Sequence, residues 1–160
     1  MIVDLVRNDI SRICKTASVK VPHLLTRMKL PNLDHLVSTV CGELEDGTNW
    51  NDIFTATFPP GSVTGAPKLS ALEFISENEP NREVYCGAIG YLSADGRMDT
   101  NIAIRTLLCH RGRMYCWAGG GIVMDSGLES EYAESLAKAS AMLEVFARAE
   151  PAHVGRQDRR

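Results

Sequence analysis

Pro59-Pro60-Gly61-Ser62-Val63-Thr64-Gly65-Ala66-Pro67-Lys68 leads straight into Leu69-Ser70-Ala71-Leu72-Glu73-Phe74-Ile75. The first part is dense in glycine, proline and serine and reads as a turn; the second is apolar at helical spacing. A helix is predicted over 66–78, with Pro67 in a first turn where its missing N–H wastes no hydrogen bond. Small residues let backbone approach a ligand closely. Unpaired N–H groups and the positive end of the helix dipole face whatever lies in front of the turn. The stretch therefore predicts an anion site, with Lys68 one turn in as added charge.

On the N-terminal side, Ile2, Leu5, Val6, Ile10 and Ile13 recur at helical spacing, so the chain begins inside a helix over 1–13 with no cap before it. Residues 18–25 and 33–44 read as strands on their β-branched residues, and 50–58 as a short helix ended by the double proline. Beyond the central helix, 83–93 and 99–109 read as strands joined at Ala94-Asp95-Gly96, and 113–117 returns after His110-Arg111-Gly112. These three make an antiparallel meander. Ala118-Gly119-Gly120-Gly121 breaks it, and 128–149 is a long helix with Ser126 and Glu129 placed as a capping box. The order predicts an α+β fold of helices packed on a mostly antiparallel sheet over 1–149, with 150–160 a frayed, disordered tail.

The chain has 160 residues, 44% of them hydrophobic, which suits one folded domain or a piece of a larger one. With 17 basic and 20 acidic residues the net charge is −3, so no electrostatic footprint for nucleic acid is present. No run approaches the roughly 20 apolar residues of a membrane helix. Five cysteines without a Cys-x-x-Cys pair read as reduced, buried thiols of a cytoplasmic protein.

Glu131, Glu134 and Lys138 fall within about 60° of one helix face. They are either a solvated charged face with an i,i+4 pair or two carboxylates for a hard cation, which suits magnesium. Tyr132, Leu136, Ala139 and Leu143 form a separate stripe expected to face the core. The triglycine at 119–121 is either a plain turn or a nest of N–H groups for an anion. It is no dinucleotide fingerprint, and 61–68 is no Walker loop. Arg105, inside an apolar strand, needs a carboxylate or phosphate partner if buried. His35 in a strand is either structural or catalytic, and Tyr85 either packs in the core or serves the site. Together these groups suit a small polyanionic metabolite bound with magnesium.

The succession 1–9 (Met-Ile-Val-Asp-Leu-Val-Arg-Asn-Asp), 18–22, 35–40, 61–68 (Gly-Ser-Val-Thr-Gly-Ala-Pro-Lys), 85–91, 98–106, 118–123 and Glu131-Tyr132-x-Glu134-x-x-x-Lys138 resembles the chorismate-binding enzymes. Within that family it is most similar to the component I aminodeoxychorismate synthases, with the component I anthranilate synthases as close relatives. The resemblance implies loss of the ring hydroxyl of chorismate and its amination by ammonia. That ammonia would come from a separate glutamine amidotransferase subunit (component II).

It further implies that Glu134 ligates Mg2+, that Glu131 is an acidic neighbour in the same motif, and that Lys138 lies near the ring carboxylate and metal. Arg105, Tyr85, Gly119 and Gly121 match positions at the enolpyruvyl end, Ser62 and Gly65 the turn beside the substrate, and His35 a position beside the departing hydroxyl. A further metal-ligand glutamate and a Pro-Ile-Lys motif with a nucleophilic lysine are expected upstream of Met1. The chain is thus expected to be the C-terminal third of an aminase, inactive as a synthase by itself. Apolar surface left by the missing N-terminal part is expected to drive self-association. Ser70 stands where arginine is common, and Gly127-Leu128 replaces a more usual proline-containing turn.

Overall fold

The computed structural model describes residues 1–30 and 34–148, so the expected tail over 150–160 lies outside the described residues. The chain divides into two compact units, Met1–Asn81 and Arg82 onward. Every strand pairing among the described residues is antiparallel, and the α+β class expected from the sequence is present.

The first unit runs α1 (Ile2–Ser11), β1 (Lys20–Lys29), β2 (Asp34–Cys41), α2 (Trp50–Thr57) and α3 (Lys68–Asn78). β1 outlasts its predicted end at residue 25 because the pairing is irregular there. Register shifts fall between Lys20 and His23 and between His23 and Thr26. At the second shift Leu25 turns to φ 50°, and its N–H donates to Ser38 Oγ at 2.9 Å, so the strand resumes as far as Lys29. His35 stands on β2 opposite Met28 and is exposed. α1 packs on α2 and β2, and the Cys14–Leu44 bridge ties the following loop to the end of the hairpin.

α2 starts on a cap that the sequence reading passed over. Asn49 accepts from the N–H groups of Asn51 and Asp52, and Asp52 accepts from Asn49 N–H in return. α3 starts at Lys68, not 66, because Pro67 holds extended backbone (ψ 140°) at the cap position. Pro67 therefore precedes the first turn, and Lys68 is the first helical residue.

The second unit runs β3 (Ala88–Leu92), β4 (Met98–Ile102), β5 (Leu107–His110), β6 (Arg113–Cys116) and α4 (Leu128–Arg148). The single meander is replaced by two two-stranded sheets, β3–β4 and β5–β6. The chain breaks between them where Arg105 takes φ 49°, a conformation that ends strand pairing. Residues 83–86 are likewise turn rather than strand, with Glu83 and Cys86 at positive φ. Tyr85 N–H donates to Arg82 O at 2.8 Å inside that turn.

The covered side of α4 differs from expectation. Tyr132, Leu136 and Leu143 are 63%, 53% and 53% exposed, whereas Met142 is buried and Glu131, Ser135, Lys138 and Ala139 are half-buried. The covered side is displaced about 100° round the helix from the apolar stripe. It lies where Met142 meets Cys116 and where the glycines at 119–120 leave room for Glu131 and Lys138. Ser126 does not form the expected box with Glu129. It stands two residues before α4 and donates to Glu131 Oε1 at 2.5 Å, while accepting from Val123 N–H.

None of the five cysteines is in a disulfide; Cys14 and Cys86 are buried, Cys116 is half-buried, and Cys41 and Cys109 are exposed, so the expectation of buried thiols fails for the last two. Burial, with Glu45 as a lesser cause, pushes the Cys14 thiol up from its ordinary range. No helix among the described residues is long and apolar enough to cross a membrane.

Candidate functional site

The second unit gathers several of the sequence-selected residues round the triglycine. Lys138 Nζ makes an ion pair with Glu134 Oε1 at 2.5 Å and donates to the carbonyl oxygen of Gly119 at 3.3 Å. A Cβ built on Gly120 would lie 3.0 Å from Glu131 Oε2 and 4.0 Å from Lys138 Nζ. One built on Gly119 would lie 3.4 Å from Tyr85 Oη. Gly121, by contrast, borders open space. Tyr85, Gly119, Gly120, Glu131, Glu134 and Lys138 therefore form one contiguous group.

Helix periodicity explains half of this arrangement, since Glu131, Glu134 and Lys138 share a face. The missing side chains of residues 119–120 explain the rest: backbone takes the place where side chains would stand, so carboxylate and ammonium reach the chain itself. Ser126, which the sequence reading treated only as a cap, fixes one oxygen of Glu131 and leaves Oε2 facing Gly120. Its signal was present in the sequence as a short polar residue five positions before Glu131.

Among the described residues, no hydrogen bond or ion pair joins Arg105 to this group. It sits in the break between β4 and β5 with its side chain exposed, so neither a strand environment nor a buried partner applies to it. In the first unit Ser62 is exposed and Gly65 is half-buried at φ +143°, a conformation that favours glycine. Lys68 is not a spare charge for an anion. Its Nζ is held by the buried Asp9 at 2.9 Å.

The donor set of the second unit suits a magnesium ion. Magnesium is commonly held by one or two carboxylates together with water and substrate oxygens, and two carboxylates one turn apart meet that pattern. Among the described residues, no group of three or more His, Cys, Asp or Glu side chains forms a fuller shell.

Residues 1–144 match the family described as chorismate binding enzyme. The chain is 51% identical over 144 residues to aminodeoxychorismate synthase component 1 of Salmonella typhimurium, a match covering 89% of this chain and 32% of that protein. It is 46% identical over 151 residues to anthranilate synthase component 1 of Bacillus caldotenax, covering 94% of this chain and 30% of the other. The solved anthranilate synthase component I from Streptococcus pneumoniae superposes with a TM-score of 0.82 at 46% identity, over 89% of this chain and 33% of that one. The chain spans about a third of the length of these relatives.

Proposed function

Because the chain belongs to the chorismate-binding enzyme family, matched over residues 1–144, we propose that it supplies the magnesium and carboxylate side of an enzyme that aminates chorismate to 4-amino-4-deoxychorismate. The observation that carries the reading is the Glu131–Gly120–Lys138–Glu134 group, in which two carboxylates and an ammonium meet exposed glycine backbone. Glu131 and Glu134 would hold Mg2+. When bound, the ion neutralises the ring carboxylate and steadies charge that shifts as the hydroxyl departs. Lys138 balances the two glutamates and keeps Gly119 in place. Tyr85 stands beside Gly119, where N–H groups at 119 and 121 would receive the enolpyruvyl carboxylate, with Arg105 as the added cation. The sequence resemblance gives His35, Ser62 and Gly65 their substrate-side roles.

Amination requires ammonia, for which a glutamine amidotransferase subunit is the proposed partner. The second reading is anthranilate formation, favoured by the 0.82 superposition on an anthranilate synthase component.

The test is an exchange of residues 1–144 for the matching third of the Salmonella relative. The exchanged enzyme is expected to form 4-amino-4-deoxychorismate from chorismate, ammonia and magnesium. Folded but inactive protein would sink the proposal, and anthranilate as product would select the second reading. A further outcome is expected of the chain by itself. Leu24, Leu36, Phe74, Ile122, Met124 and Leu128 are all exposed, and apolar surface of that extent favours association. Light scattering should find dimers or larger species, and a strict monomer would count against this.

A further inference from the structure

Asp9 is the one buried polar or charged residue among those described, at 6% exposure, and the site reading leaves it unused. Its Oδ1 accepts from Lys68 Nζ at 2.9 Å. One turn earlier on α1 is Leu5, and a Cβ built on Gly61 would lie 2.8 Å from Leu5 Cδ1. Residues four apart on a helix lie on one face, about 5–6 Å from each other. One face of α1 therefore grips the segment 61–68 at both ends, with Leu5 against Gly61 and Asp9 on Lys68. The turn is closed from just before the first foot by Pro60 O, which accepts from Val63 N–H at 3.2 Å and from Thr64 Oγ1 at 3.0 Å.

The placement of Lys68 is poor for the helix it begins. A cation at a helix N-terminus opposes the dipole, and α3 has neither a side-chain cap nor an acidic residue in its first turn. Local choices that work against an element point to a role outside it. Asp9 supplies that role, because a carboxylate this deeply buried demands a charged partner and fixes its position.

The geometry points to Asp9 and Lys68 as the positioning pair of the Ser62–Gly65 turn, holding it at a set height on α1 so that it can border the substrate. The substrate-side part of this rests on the chorismate reading; the clamp does not.

Hydrogen exchange on the 160-residue chain tests the clamp. Asp9→Asn and Lys68→Met should each accelerate exchange at residues 61–66 by about tenfold, leaving the β1–β2 pairs from Thr26 to Lys29 within about twofold. Lys68→Arg should keep the parent rates. Unchanged rates at 61–66, or equal acceleration throughout Met1–Asn81, would overturn it. If Lys68→Met, which strands the buried carboxylate, does not fold, Asp9→Asn, which leaves only the more exposed ammonium unpaired, decides. In the exchanged enzyme, Asp9→Asn should raise the KM for chorismate about tenfold with kcat within about threefold. A fall in kcat at constant KM overturns the substrate-side role. If the parent exchanged enzyme makes no product while the local exchange effect is intact, the chorismate reading fails and the clamp stands.

Discussion

Glu134→Gln in the exchanged enzyme should lower kcat/KM for chorismate by about 100-fold and raise the magnesium concentration needed for half-maximal rate by about tenfold. The same substitution should move the unfolding free energy of the 160-residue chain by less than about 1 kcal/mol. The contrast comes from where the side chain sits. Glu134 and Lys138 are 54% and 31% exposed, so their 2.5 Å ion pair is well solvated and contributes little to folding. In the proposed complex the carboxylate would instead serve as one of two protein ligands, so its loss would remove half of the protein's anionic charge at the ion. Glutamine keeps the shape and loses the charge, so packing against Lys138 survives. Activity that keeps the parent magnesium dependence would remove Glu134 from the metal and with it the main support for the functional reading.

Local pattern carried far along this chain. Apolar spacing placed α1, α2 and α3 within two residues of their observed ends, and the β-branched runs located both strands of the first hairpin. What escaped was set by contacts distant in sequence. Lys68 looked like a free charge because its partner, Asp9, stands 59 residues away. Arg105 looked like a strand residue because Ile102, Ile104 and Leu107 flank it. The backbone reversal at φ 49° falls within the 103–106 break that separates β4 from β5. The stripe of Tyr132, Leu136 and Leu143 had the right period for a core face. The group at Gly119–Gly120 and Cys116 meets the neighbouring side of the helix instead.

The candidate site was legible in residue types more than in their arrangement. Paired glutamates, a lysine one turn on and the glycines at 119–120 picked out second-unit residues that the structure brings together, whereas Gly121 borders open space. The physics that joins them is close approach of side chains to bare backbone, which a one-dimensional pattern does not encode. Asn49 is the opposite case: its reciprocal bonds with Asp52 follow from Asn-x-x-Asp spacing, a signal that was readable.

Gly90→Ala should be the most damaging small substitution in the second unit, lowering stability by about 3 kcal/mol and the melting temperature by roughly 6–12 °C. Gly90 pairs with Thr100 in the β3–β4 ladder, and an added Cβ would stand 2.0 Å from Asp99 O and 2.7 Å from Thr100 Cα. Those are backbone atoms, so no rotamer change relieves the clash and the two strands must part. The consequence reaches the site through Ala103, just past the end of β4. Its carbonyl accepts from Cys86 N–H at 2.9 Å and its own N–H donates to Gly87 O at 2.8 Å, which fixes the turn carrying Tyr85. Arg105 follows two residues later, so two of the four proposed enolpyruvyl-end groups, Tyr85 and Arg105, depend on this ladder. Gly121→Ala supplies the control, because its Cβ would meet open space, and its stability should stay within about 0.5 kcal/mol of the parent. Equal melting temperatures for the Gly90 variant and the parent would mean that β3 and β4 do not approach as closely as Asp99 and Thr100 require.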